Sequence, residues 1–169
     1  MISKKMQEAI NEQINRELYS EYLYLSMVAY FESIGLSGFA NFFRVQVQEE
    51  RFHALKFFDY INERGGRVIL KKIDQPQIDF NSPVEVFELS YKHEQFITKS
   101  INELMDIAIK ENDHATRSFL NWYVDEQVEE EDSMDNILNQ LRLIDGKGQG
   151  VLMLDRELAG RTFNPPAAE

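Results

Sequence analysis

Six polar residues occupy helical stripes whose other members are apolar. Glu50 and His53 share a face with Phe39, Phe43, Val47, Ala54, Phe57 and Ile61. Glu17 falls among Ile10, Ile14, Glu21, Tyr24 and Val28; Glu94 falls among Phe87, Tyr91, Ile101, Met105 and Ala108. Gln127 and Glu130 fall among Phe119, Tyr123, Met134, Ile137 and Leu141. Glu17 and Glu50 are 33 residues apart, and so are Glu94 and Gln127. His53 and Glu130 each follow three residues later, so two helical hairpins present polar side chains in the same register. A single carboxylate on such a stripe is usually a boundary residue with its head in water. A set in register is different, because an unpaired buried charge costs several kcal/mol and a domain is stable by only about 5–15 kcal/mol. Arg16 and Arg51 are the basic neighbours, and helical geometry points both away from the stripe. Oxygen ligands with one imidazole form a hard set, suited to Fe²⁺ or Mn²⁺ and unlike a structural zinc or Cu(I) site. Glu-x-x-His on one helix with glutamates on facing helices is the pattern of di-iron carboxylate bundles. The charges of Glu17, Glu50, Glu94 and Glu130 balance two Fe²⁺ ions.

The elements that must position these residues are long helices. Period-3.6 patterning predicts helices over about 5–34, 37–65, 83–111 and 114–145, with a short fifth over about 149–159. Ser37 is the expected N-cap of the second helix, and Ser82-Pro83-Val84-Glu85 is a capping box opening the third. Helices of roughly 28 residues, about 42 Å long, with one apolar stripe each require a bundle. The first pair is joined around Gly35–Gly38 and the second around Asn112-Asp113, so both are antiparallel hairpins. The segment from Gly66 to Ser82 contains Pro76 and strand-like residues, and it reaches about 56 Å when extended. That length lets the third helix start parallel to the second. The expected fold is therefore all-α, a ferritin-like four-helix bundle with one long crossover and a short C-terminal helix, forming a single domain over 1–169. The tail from Arg161 to Glu169 is expected to be mobile.

Composition narrows the function. The net charge of −11 argues against nucleic acid as a partner and favours cations near the surface. Zero cysteines exclude thiolate catalysis, iron–sulfur ligation and cysteine-held zinc. No segment approaches a membrane span, and the N-terminal Met1–Glu8 stretch lacks the apolar core of a signal peptide. The expected location is cytoplasmic.

Nearly the whole chain resembles the non-haem ferritins of bacteria and archaea. The resemblance rests on Asn15-Arg16-Glu17-Leu18-Tyr19, Tyr22-Leu23-Tyr24-Leu25, Gln48-Glu49-Glu50-x-x-His53-Ala54 and the run from Phe119 to Glu131. It implies a ferroxidase and iron-storage protein, assembled as a hollow shell of twenty-four subunits, that oxidises Fe(II) with dioxygen or hydrogen peroxide. It also implies a first iron site of Glu17, Glu50 and His53, and a second that shares Glu50 and adds Glu94 and Glu130, with Gln127 hydrogen-bonding nearby. A third iron site would use Glu49, Glu126 and Glu129 with Glu130 shared; taken alone, these three residues read as a solvated acidic face. Tyr24 matches a tyrosine beside the di-iron centre and Trp122 a nearby tryptophan. Phe52 stands where bacterioferritins carry a haem-ligating methionine, so no haem is expected. The fourth helix has Gln127-x-x-Glu130 in place of a second Glu-x-x-His, unlike bacterioferritins and rubrerythrins. His93 and His114 match no ligand position and are expected to be partly exposed. Two other classes remain open: a di-iron oxygenase or peroxidase on the same bundle, and a structural helical oligomer without chemistry. Metal loading separates the last from the others, and retention of a mineral separates storage from oxygenation.

Overall fold

A computed structural model describes residues 1–165; residues 166–169, part of the tail expected to be mobile, lie outside the described residues. Among the described residues the helices are α1 (Lys4–Ser33), α2 (Ser37–Glu63), α3 (Pro83–Lys110), α4 (His114–Leu143) and the short α5 (Gly148–Leu158), with no strand. This is the expected four-helix bundle with a fifth helix. Gly35 (φ 77°) and Gly65 (φ 71°) end α1 and α2 in the left-handed conformation that only glycine adopts freely. Gly66 N–H then reaches back to the Ile61 carbonyl at 2.9 Å, closing the last turn of α2.

Antiparallel contacts run around the bundle in the order α2, α1, α3, α4. Ile2 N–H donates to the Arg64 carbonyl at 3.1 Å, joining the start of α1 to the end of α2. The Ser90 hydroxyl of α3 meets the Met27 sulfur of α1 at 3.3 Å. The Tyr60 and Thr116 hydroxyls join α2 to α4 at 2.9 Å.

The crossover from Arg64 to Ser82 is extended but pairs with no strand, so its backbone groups need other partners. Outward side chains of α1 supply them in chain order. Gln7 Oε1 accepts from Arg67 N–H at 2.9 Å, and Asn11 accepts from Ile69 N–H at 2.8 Å while donating to the Arg67 carbonyl. Lys71 pairs with Glu12, the Ser26 hydroxyl donates to the Gln77 carbonyl at 2.7 Å, and Phe80 packs on Tyr30. The segment is thus laid along the full length of α1, and α3 begins beside the start of α2.

Two apolar clusters fill the bundle. One gathers Phe31, Phe39, Phe43, Phe87, Leu138 and Leu141 with neighbours, and the other gathers Ile10, Phe57, Ile61, Ile101, Leu104 and Tyr123 with theirs. The buried Glu17, Gln46, Glu50, His53, Glu94, Gln127 and Glu130 occupy the helix turns between them.

Helix capping departs from expectation at one end. Ser3, Ser82 and Asp113 cap α1, α3 and α4 through side-chain oxygens. Ser37, however, is the first residue of α2, and the N-cap residue Leu36 has no capping side chain. The Asp155 carboxylate of α5 does the work instead, accepting from Gly38 N–H at 2.8 Å and Phe39 N–H at 3.0 Å. A carboxylate at a helix N-terminus is favoured by the exposed amides and the helix dipole. Close approach requires a glycine: a Cβ on Gly38 would lie 1.5 Å from the Asp155 carbonyl oxygen. Val151 and Leu154 are then buried against the bundle, whereas Leu152 and Met153 remain exposed. The apolar side of α5 is thus divided between its own bundle and solvent.

Gly38→Ala is expected to undock α5 and cost about 2–4 kcal/mol, the sum of a lost cap and an overpacked contact. Urea unfolding of the variant beside Asp155→Asn and wild type reads it; an unchanged midpoint would refute the packing argument.

Candidate metal centre

Long α-helices hold the polar layer rigidly, because residues one turn apart face the same way. Glu50 and His53 stand three residues apart on α2 and both are buried. His53 Nδ1 lies 3.8 Å from Glu50 Oε2, and its Nε2 lies 3.8 Å from Glu126 Oε1. Both separations exceed hydrogen-bonding range, so neither ring nitrogen is committed to these carboxylates. The ring packs against Trp122 and Tyr123 at centroid distances of 5.4 and 6.1 Å. Tyr123 also donates to the His53 carbonyl at 2.8 Å.

Glu17 completes a first group with Glu50 and His53, whose candidate ligand atoms lie within 4.8 Å of one another. A second group within the same limit contains His53, Glu126 and Glu130. Glu17 Oε1 accepts from Gln13 Nε2 at 2.8 Å, but Glu17 Oε2 is buried without any hydrogen-bond partner. An orphaned buried carboxylate oxygen is uncommon and calls for an explanation. A divalent cation fits this place: it meets an open carboxylate oxygen, one more buried acid and an imidazole with free nitrogens.

Glu94 is buried on α3 with both oxygens engaged. Tyr24 donates its hydroxyl to one, and Gln127 Nε2 donates to the other at 3.1 Å. The Glu94–Gln127 contact spans the expected 33 residues. Glu130 Oε2 accepts from Gln46 Nε2 at 2.7 Å. Buried glutamine amides thus hold Glu17, Glu94 and Glu130 in place.

The expected third-site residues are placed unequally. Glu126 is partly buried at 25% side-chain exposure and reaches toward His53. Glu49 is partly buried and bound to Arg161 at 2.8 Å. Glu129 lies on the exposed side of α4 and joins neither group. Two other expectations need correction. Glu21, read as part of the α1 stripe, turns aside to pair with Arg51 at 2.7 Å. The tail is not loose at its start, since the Asn41 amide donates to the carbonyls of Leu158, Ala159 and Arg161.

Burial dominates the electrostatics. It pushes Glu94 up to about 7 and Glu130 up to about 8, and neighbouring carboxylates add to the rise in each. Glu50 is likewise held well above the usual carboxylate range by burial, against the opposing pull of His53. For His53, burial lowers the affinity for a proton, but Glu126 and Glu50 outweigh it and the net shift is upward. Burial raises Tyr24 well above the usual phenol range, and the Glu94 charge raises it further, so the phenol keeps its proton and donates. His93, half-buried beside the layer, is lowered by burial to about 4 and hydrogen-bonds with the Ser20 hydroxyl at 2.7 Å. His114 is exposed at the start of α4.

Gln13, Gln46 and Arg161 were not among the sequence candidates. The glutamines carried a usable signal: Gln13 precedes Glu17, and Gln46 precedes Glu50, by one helical turn on the same stripe. Arg161 carried none, being 112 residues from Glu49.

Comparison with known proteins agrees with the geometry. The ferritin-like domain family matches residues 7–144. A bacterial non-heme ferritin of Staphylococcus aureus is 42% identical over 164 residues, covering 97% of this chain and 99% of its own. An engineered closed form of the Archaeoglobus fulgidus ferritin superposes with a TM-score of 0.95 at 54% identity, over 97% of this chain and 100% of that one. The open-pore ferritin of the same archaeon gives 0.94 at 54% identity, over 95% and 98%. With a matching family over most of its length and a bundle that superposes on solved relatives, the chain belongs to the ferritin family.

Proposed function

We propose that this chain is an iron-storage subunit that oxidises Fe(II) within its polar layer and passes Fe(III) into a hollow homo-oligomeric shell. The observation that carries this reading is the buried, partnerless Oε2 of Glu17, a residue that offers a carboxylate oxygen within 4.8 Å of the Glu50 and His53 ligand atoms. Glu17, Glu50 and His53 would take the first Fe(II), and Glu50, Glu94 and Glu130 the second. Two Fe²⁺ ions would neutralise the four carboxylates, of which burial otherwise favours the protonated form of Glu50, Glu94 and Glu130. Binding therefore displaces protons, and the glutamine contacts keep the carboxylates facing inward as it happens. Tyr24 and Gln127 orient Glu94 from either side. Each Fe(II) surrenders one electron to dioxygen or hydrogen peroxide. Oxidation to Fe(III) raises the charge of the pair above that of its ligands, which favours release of the product. Glu49, Glu126 and Glu129 would serve an outer third site and the exit path, with Glu130 shared.

The shell is supported by near-complete coverage of the archaeal ferritins, which include closed and open-pore forms. Leu152 and Met153 of α5, and Tyr22, Leu25 and Ile78 beside the crossover, leave apolar surface suited to neighbouring subunits. We place the assembly in the cytoplasm, with twenty-four subunits. No helix among the described residues is long and apolar enough to cross a membrane.

Stopped-flow oxidation at two Fe(II) per subunit tests the site. Glu50→Ala should slow it by at least about tenfold, since loss of a ligand exceeds the usual cost of losing its supporting groups. Glu129→Ala should leave the first oxidation nearly intact and alter later turnover. Tyr24→Phe should retain iron binding. A Glu50→Ala protein oxidising iron at the wild-type rate would dismiss the assignment.

Stability should depend on pH in a defined direction. Between the ordinary carboxylate value of 4.5 and the raised values of about 7 and 8, folded Glu94 and Glu130 hold protons that the unfolded chain has released. The metal-free protein should therefore melt at progressively lower temperature as pH rises from 5 to above 8. Added divalent ion should raise the melting temperature more at the upper end, where protons no longer compete. A metal-free melting temperature that climbs across this range would contradict the buried-acid account.

Native mass spectrometry checks the assembly, with the closed shell of twenty-four chains that the resemblance to ferritins implies as the expected result. A monodisperse monomer or dimer would refute it.

A further inference from the structure

The outer edge of the acidic layer already holds a cation. Arg161, three residues beyond the end of α5, lays its guanidinium over the Phe42 ring at 4.4 Å and bonds Glu49 Oε2 at 2.8 Å. Its other terminal nitrogen donates to Gln46 Oε1, and the Gln46 amide donates onward to Glu130 Oε2 at 2.7 Å. An unbroken chain therefore leads from a partly exposed arginine to a buried candidate ligand. Asn41 pins the carbonyls of Leu158, Ala159 and Arg161, so the arginine does not drift on a loose tail.

We propose that Arg161 is a built-in, displaceable counter-cation for the outer metal position, so that a divalent ion entering at Glu49, Glu126 and Glu130 competes with the C-terminal segment for the same carboxylate. This rests on the functional reading above, in which those residues take a third ion. The physics is charge competition. Glu49 is partly buried and its Oε2 lies 2.8 Å from the guanidinium, so Arg161 is the counter-charge of that carboxylate when no ion is present. The same guanidinium then repels an arriving divalent ion. Cation binding and docking of the segment around Arg161 are therefore antagonistic, and by linkage each weakens the other by the same factor. The first inner position is spared, because no hydrogen bond or ion pair joins Glu17, Glu50 or His53 to the arginine, and the second is reached only through Gln46 and the shared Glu130. Arg161 is thus a positioning residue that sets how readily the outer ion is held and given up.

Calorimetric titration with cobalt(II), which needs no oxidant, tests this in the assembled protein. Arg161→Ala should tighten the weakest of the bound ions by at least about tenfold, the effect of removing one like charge at about 4–6 Å. Arg161→Lys, which keeps the charge but loses the planar fork, should stay near wild type. Hydrogen exchange in residues 159–165 should quicken in wild type as cobalt(II) fills the outer position; a purely structural tail would exchange at the same rate with or without the ion. An outer ion held equally or more weakly by Arg161→Ala, with the two inner ions bound normally, overturns the role of Arg161 alone. Failure of the two inner ions to bind in any of the proteins overturns the functional reading, and this inference with it.

Discussion

A layer of acids buried across the middle of an apolar core governs this structure. Glu17, Glu50, Glu94 and Glu130 are each at most 4% exposed. Charges so placed cannot be left unmatched in a domain whose net stability is small. Without metal the chain has two recourses, and it uses both. Burial drives carboxyl groups toward their protonated form, and buried amides and a phenol donate to those oxygens that can be reached. Glu17 Oε2 is reached by no donor, which is why it points so directly to a cation.

The remaining architecture follows from holding that layer at one height. Each helix contributes from near its middle, so the helices must be long enough to carry an apolar cluster on either side. Antiparallel hairpins bring midpoints together, and the crossover keeps the second hairpin level with the first. Its attachment to Gln7, Asn11 and Ser26 is part of this registration: a slip of α3 by one turn would move Glu94 by about 5.4 Å and separate it from Tyr24. The charge layer and the polar outer face of α1 are thus two parts of one positioning device.

The C-terminal elements complete the layer's outer boundary. Asp155 caps α2 in place of a local side chain, and the tail beyond α5 delivers Arg161 to Glu49. Packing the last helix against the second therefore does more than bury Val151 and Leu154. It couples the end of the chain to the edge of the site through Asn41, Phe42 and Gln46, which lie along α2 between the Asp155 contact and Glu50.

Periodicity made the bundle legible, because an apolar stripe at 3.6 residues can serve only a helix. The equal 33-residue intervals located the polar layer, since antiparallel helices of equal length must pair their centres. The metal-ligand assignments came partly from these intervals and partly from family resemblance, and geometry adds the open oxygen of Glu17. Glu21 was misjudged because it sits at the stripe's edge, where a small rotation of α1 decides between core and Arg51. Ser37 was misjudged because local propensity cannot foresee a carboxylate arriving from Asp155 far along the chain. Arg161 was invisible for the same reason. Contacts within one helix depend on spacing and are written in the sequence. Contacts between α2 and the C-terminal segment depend on how the whole bundle closes, and only the tertiary structure decides which charge reaches the edge of the layer.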